Sequence, residues 1–206
     1  MGLLEGLVAF RLALFCRELR DGLRVAVDVG CRLGWAGHML AAVAGKPVKV
    51  VGLDVYEPYL RTLAEISKIY EPLRVDLETE PIPLPDGFSD LTLCIEVIEH
   101  LSKPAGYRLL DEMERITRKG GYIYLTTPNG WHGAKTERCV PLQHKSAWVV
   151  QDFLQRGYVV KGYGFRGLRG RGKLGKFYLL ADYAWTPVAR IVPQTGFGLE
   201  VYKKIW

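Results

Sequence analysis

Between residues 24 and 126, short apolar runs alternate with stretches of helical spacing, and no other feature of the chain constrains its fold as tightly. Arg24–Val29, Val48–Leu53, Leu91–Ile95 and Tyr122–Thr126 read as strands, with Leu73–Val75 as a shorter one. Gly34–Val43, Pro58–Lys68 and Ala105–Thr117 read as the helices between them. Gly120-Gly121 reads as the stop of the last of these helices, and Pro128 closes the strand after it. Strands that are apolar on both faces must be covered on both, and strands joined through helices pair in parallel. The expected class is therefore α/β: a doubly wound, mostly parallel sheet with helices on both faces.

Outside that region the pattern loosens. Residues 1–22 read as an amphipathic helix, with Leu7, Phe10 and Leu14 on one side and Arg11, Arg17 and Glu18 on the other. Those charges interrupt the apolar stretch, so it does not read as a signal peptide. No run of about 18 residues is free of charge, which excludes a membrane span of ordinary length. Ser146–Gln155 reads as a helix, and Tyr158–Tyr163 and Leu199–Lys204 as strands. Cys16, Cys31, Cys94 and Cys139 form no CxxC pair, and 49% of the chain is apolar, so reduced thiols in a cytoplasmic protein are expected. The formal charge of +6 is uneven: residues 1–130 are net −3 and residues 131–206 net +9. One domain spanning 1–206 is expected, with a basic insert at 161–176 near its C-terminus.

In open α/β sheets ligands bind at the carboxyl ends of the strands. The first strand ends Asp28-Val29-Gly30-Cys31-Arg32-Leu33-Gly34, a turn whose glycines let the backbone approach a ligand. The second ends in Asp54, a carboxylate able to accept hydrogen bonds from both hydroxyls of a ribose. Together they point to an adenosine-containing cofactor. A dinucleotide is disfavoured, because Arg32 stands where the second glycine of G-x-G-x-x-G would admit a pyrophosphate.

Further motifs follow in order: Val75-Asp76-Leu77, Leu84-Pro85-Asp86-Gly87-Phe88, Glu96-Val97-Ile98-Glu99-His100, Arg118-Lys119-Gly120-Gly121 and Thr126-Thr127-Pro128-Asn129. With the first two strand ends, this series resembles the class I S-adenosylmethionine-dependent methyltransferases, in particular the group with Glu-x-x-Glu-His after the fourth strand. The resemblance covers residues 24–130 in order and implies a Rossmann-like methyltransferase sheet with S-adenosyl-L-methionine as cofactor. It implies that Asp28, Gly30, Cys31 and Gly34 surround the methionine part of the cofactor, and that Asp54, with Val55 beside it, holds the ribose. Asp76 with the Leu77 backbone faces the adenine, and Glu96 lies near the methyl end. Arg32 departs from the family, which usually has Gly there.

Transfer of a sulfonium methyl group is an in-line displacement, and a general base is needed only where the acceptor holds a proton. Candidates for that role are Glu99, His100 and His144, with His132 a further histidine in the same stretch. No metal is assigned. Glu96, Glu99, His100 and His144 nevertheless resemble the metal set of small-RNA 2′-O-methyltransferases, and Glu-x-x-Glu-His recurs in ubiquinone-biosynthesis O-methyltransferases. The expected acceptor is a small or anionic molecule. RNA is an alternative partner, because Lys161, Arg166, Arg169, Arg171, Lys173 and Lys176 lie near Tyr163, Phe165 and Phe177. A non-catalytic interaction module, with Arg32 weakening the pocket, is a third reading.

Overall fold

The computed structural model describes residues 3–19, 21–130, 143–164 and 184–206. Its strands are β1 (Val25–Val29), β2 (Lys49–Asp54), β3 (Tyr70–Arg74), β4 (Ser89–Ile95), β5 (Thr117–Pro128), β6 (Val159–Tyr163) and β7 (Gly198–Lys204). They form one sheet in the order β3-β2-β1-β4-β5-β7-β6, with β7 antiparallel to both of its neighbours and every other pair parallel. The helices are α1 (Leu3–Leu19), α2 (Trp35–Ala44), α3 (Glu57–Ile66), α4 (Lys103–Ile116) and α5 (Val150–Leu154), with a further helix at 184–191. This is the doubly wound Rossmann-like sheet expected from the alternation.

The two faces of the sheet bury different residues of the same strands, as the two-residue period of a strand requires. On β1, Val27 and Val29 join Leu109, Leu110, Met113 and Trp148 on the α4 side. Ala26 joins Leu12, Leu40, Leu63 and Tyr70 on the side of α1, α2 and α3. Helix α4 starts at Ser102, whose hydroxyl accepts from the Ala105 amide, and it turns Leu109, Leu110, Met113 and Ile116 inward.

Several boundaries differ from expectation. Gly120-Gly121 does not stop α4: the helix ends at Ile116 and β5 begins at Thr117, whose hydroxyl donates back to the Met113 carbonyl at 2.7 Å. The glycines sit instead where the β4–β5 register shifts. Gly120 has φ 80°, and a Cβ on Gly121 would lie 2.9 Å from the Asp90 carbonyl oxygen. Strand β3 runs Tyr70–Arg74 rather than Leu73–Val75; Glu71 and Pro72, residues tolerated on an edge strand, mask its start. Within Ser146–Gln155 only Val150–Leu154 is helical. Ser146 to Val149 stays extended because the Lys145 and Ser146 amides donate to the Glu99 carbonyl, and Trp148 bridges to Asn129 and Gly130.

Helix α1 also turns the other way from its apparent apolar face. Phe10 and Leu14 are exposed, while Val8, Arg11, Leu12 and Cys16 are buried. Arg11 pays for its burial with an ion pair to Glu200 of β7, which also binds Arg190 and accepts from the Tyr124 hydroxyl. Cys16, Cys31 and Cys94 are free and buried; Cys139 lies outside the described residues. No helix among the described residues is long and apolar enough to cross a membrane.

Candidate active site

The strand order reverses at β1, which lies between β2 and β4, so the loops after β1 and β4 part and leave a crevice at their carboxyl ends. The loop after β1 turns through left-handed residues at Gly30 (φ 70°), Arg32 (φ 49°) and Gly34 (φ 77°). It is tied to β2: the Gly30 and Cys31 amides donate to the Leu53 carbonyl, and the Arg32 amide donates to Asp54 Oδ2 at 2.9 Å. Asp54 Oδ1 accepts from the Tyr56 amide at 2.9 Å. Each Asp54 oxygen therefore keeps one lone pair, which suits a pair of ribose hydroxyls. Arg32 is exposed and its guanidinium carbon lies 5.8 Å from the Tyr59 ring centre on α3, so its side chain leaves the inner side of the turn open. Val55, next to Asp54, is 44% exposed.

Asp28 is placed differently from the other residues expected around the cofactor. It is 2% exposed and accepts the Tyr70 hydroxyl proton at 2.5 Å, on the α2 side of β1. Burial pushes its carboxyl up to about 7; the Tyr70 bond opposes that rise, and the charge of Asp54 adds to it. The Cys31 thiol is likewise held above its ordinary range, by burial and then by the charges of Asp28 and Asp54. After β3, Asp76 organises its own turn: its amide donates to Glu80 and its Oδ1 accepts from the Glu78 amide. Leu77 packs against the α4-side core. A cavity of about 320 Å3 between the 77–82 loop and α4 is lined by Leu77 and Glu80 but not by Asp76.

Across the crevice, Glu96 follows β4 in a left-handed conformation (φ 54°), a strained state for a side chain with a Cβ. Its Oε1 accepts from the Tyr163 hydroxyl at 3.0 Å, its amide donates to the Thr126 carbonyl, and burial raises its carboxyl pKa. Glu99 is 2% exposed and accepts from the Thr127 hydroxyl at 3.0 Å. Burial and then the charge of Glu96 hold its pKa well above the ordinary range. His100 donates from Nδ1 to the Gln143 carbonyl at 3.2 Å, which leaves the Nε2 lone pair available. Burial lowers the His100 pKa, which favours the neutral ring.

Thus the structure brings Glu99, His100 and His144 together: their ligand atoms lie within 4.8 Å of one another, and the two imidazole rings meet edge to face at 5.0 Å. The Glu99 carbonyl, holding the Lys145 and Ser146 amides, carries His144 to this position. His132, Phe165, Arg166, Arg169, Arg171, Lys173, Lys176 and Phe177 lie outside the described residues. Lys161 is engaged over the Tyr202 ring at 5.0 Å. Sequence reasoning missed Tyr70 altogether, and it missed the contacts of Tyr163 with Glu96 and of Thr127 with Glu99, which join residues tens of positions apart.

This architecture matches that of class I methyltransferases. A crystal structure of an S-adenosylmethionine-dependent methyltransferase from Archaeoglobus fulgidus superposes with TM-score 0.64 over 96% of this chain and 92% of that one, at 17% identity. Residues 27–125 match the family model described as a methyltransferase domain. Among curated relatives, a probable S-adenosylmethionine-dependent methyltransferase of Mycolicibacterium smegmatis is 34% identical over 109 residues, 52% of this chain and 38% of that protein. A ubiquinone biosynthesis O-methyltransferase of Burkholderia vietnamiensis is 28% identical over 108 residues, 50% of this chain and 44% of that protein. The chain therefore spans less than half the length of these relatives.

Proposed function

We propose that the protein transfers a methyl group from S-adenosylmethionine to a hydroxyl of a small acceptor. The observation that carries this reading is the His100 imidazole, whose Nδ1 donates to the Gln143 carbonyl, whose Nε2 has no hydrogen-bond partner among the described residues, and whose ligand atom lies within 4.8 Å of those of Glu99 and His144. The cofactor supplies an activated sulfonium methyl, so positioning and desolvation do most of the work. Asp54 accepts from the ribose hydroxyls with the lone pairs its backbone donors leave free. The turn from Gly30 to Gly34 lines the methionine part, and Asp76 and Leu77 border the adenine. His100 takes the acceptor proton at Nε2 while its Nδ1–H stays on the Gln143 carbonyl. Glu96, braced by Tyr163, shapes the methyl end of the crevice.

A second reading is favoured by the clustering of Glu99, His100 and His144: one carboxylate and two imidazoles converge as a divalent cation requires. In that reading Glu99, His100 and His144 would hold the cation, and the chemistry it would supply is orientation and acidification of the acceptor hydroxyl. The test is a screen of small hydroxylated acceptors with methyl-labelled cofactor, with and without chelator. Label transfer that falls at least a hundredfold in His100→Ala supports the proposal. Transfer that survives His100→Ala refutes the role of His100, and transfer unaffected by chelator refutes the metal reading.

A further inference from the structure

Gly34, Gly37 and Gly52 share one neighbour. A Cβ on Gly34 would lie 2.7 Å from the Tyr70 ring, on Gly37 2.2 Å from the Tyr70 hydroxyl, and on Gly52 2.9 Å from the ring edge. These residues come from the turn after β1, from α2 and from β2, and together they form the socket of one side chain on the edge strand β3. The ring is 7% exposed. Inside the socket its hydroxyl lies 2.5 Å from Asp28 Oδ2, 2.8 Å from the Gly37 amide and 3.0 Å from the Gly34 carbonyl.

A phenol has one proton to give. The short contact to the Asp28 carboxylate claims it, leaving the oxygen to accept from Gly37. The Gly34 carbonyl is then served by His38, whose Nδ1–H lies 2.7 Å away while its Nε2 accepts from the Ser67 hydroxyl at 2.9 Å. The Tyr70 hydroxyl, the Gly37 amide and both His38 ring nitrogens therefore each have a partner.

From this we infer that Tyr70 is a positioning residue for cofactor binding: its hydroxyl, anchored on Asp28, sets the shape of the turn from Gly30 to Gly37 that meets the cofactor. Asp54 and Leu53 hold the first half of that turn from β2; Tyr70 holds the second half from β3. Gly34 and Gly37 are glycine because the ring and its hydroxyl occupy the space of their side chains. The same bracing lets the turn keep its form with Arg32 at a left-handed position. The inference rests on the assignment of this turn to S-adenosylmethionine.

The test is calorimetric titration of S-adenosylhomocysteine into wild-type protein and Tyr70→Phe, with thermal unfolding of both apo proteins and, once an acceptor is in hand, steady-state kinetics. Tyr70→Phe keeps the ring in its socket and removes only the hydroxyl. The expected result is about tenfold weaker binding and a KM for cofactor raised by a similar factor, with kcat at saturating cofactor within about threefold of wild type. Should Tyr70→Phe fail to fold, Asp28→Asn and Asp28→Val ask the same question. The amide keeps an acceptor for the phenol, so Asp28→Asn is expected to lose less affinity than Asp28→Val, which is expected to lose about tenfold. Equal binding by wild type and Tyr70→Phe overturns the inference, as does a large loss in Asp28→Asn beside intact Tyr70→Phe, which would mean that Asp28 touches the cofactor itself. A wild-type protein that takes up no product at millimolar concentration overturns the cofactor assignment and this inference with it.

Discussion

Replacing Asp28 with Asn should stabilise the protein, by an amount that grows with pH. Asp28 is 2% exposed, and its carboxyl rises from an ordinary 3.8 to about 7, chiefly through burial. The Tyr70 hydroxyl pulls the other way but only partly offsets the burial, and the nearby charge of Asp54 adds to the rise. A carboxyl whose folded pKa is raised favours the folded state while both states are protonated, and loses that contribution as pH climbs through the folded pKa. Between pH 4 and pH 7 the folded state gives up about 1.4 kcal/mol per unit, about 4 kcal/mol in all, and above pH 7 the loss is constant. Asn carries no charge and keeps an oxygen for the Tyr70 proton. The assay is urea unfolding of wild type and Asp28→Asn from pH 4 to pH 9, read as the difference between the two so that all other titrations cancel. The expected difference is near zero at pH 4 and rises to about 4 kcal/mol in favour of the variant by pH 8. A difference flat in pH refutes the reasoning. A difference favouring wild type as pH rises refutes it more sharply, because the Tyr70 bond would then outweigh the burial.

Other expectations follow from single contacts. Glu200→Gln should cost about 3 kcal/mol in denaturant unfolding, because the buried Arg11 and its neighbour Arg190 lose their shared counter-charge; a cost under 0.5 kcal/mol would show that the pair is not formed in solution. Gly106→Ala should destabilise by about 1–3 kcal/mol despite better helix propensity, since the new Cβ meets the Trp148 ring at 2.3 Å, and a thermal midpoint equal to or above wild type would contradict that packing. Arg32→Gly should raise stability by up to about 1 kcal/mol by relieving the left-handed backbone, with product affinity in calorimetry unchanged because the guanidinium lies out over Tyr59.

Much of the sheet was legible in sequence because its signals are local. Runs such as Val48–Leu53 and Leu91–Ile95 carry their apolar character in consecutive residues, and the helical stripe of α4 repeats within four residues, so alternation alone implied a parallel core. The edge strand β3 was read short because Glu71 and Pro72 are polar or hydrogen-bond-deficient, and only pairing with Val50 to Asp54 makes them strand. Helix α1 was misjudged for a related reason: Arg11 reads as a surface residue until Glu200, far along the chain, supplies its partner.

The candidate site divides along the same line. Sequence by itself determined the order of the motifs, the carboxylate at the end of β2, and the Glu-x-x-Glu-His run after β4, since each lies within a few residues of a strand end. Tertiary structure alone decided that His144 meets His100 through the Glu99 carbonyl, that Tyr163 braces Glu96, and that Asp28 faces Tyr70 rather than the open crevice. It also decided the antiparallel insertion of β7 between β5 and β6. Spacing along the chain reports which residues share a face of one element. Which faces then meet depends on hydrogen bonds and burial between residues 40 to 70 positions apart, as with Asp28 and Tyr70 or Glu96 and Tyr163, and these carry no local periodicity.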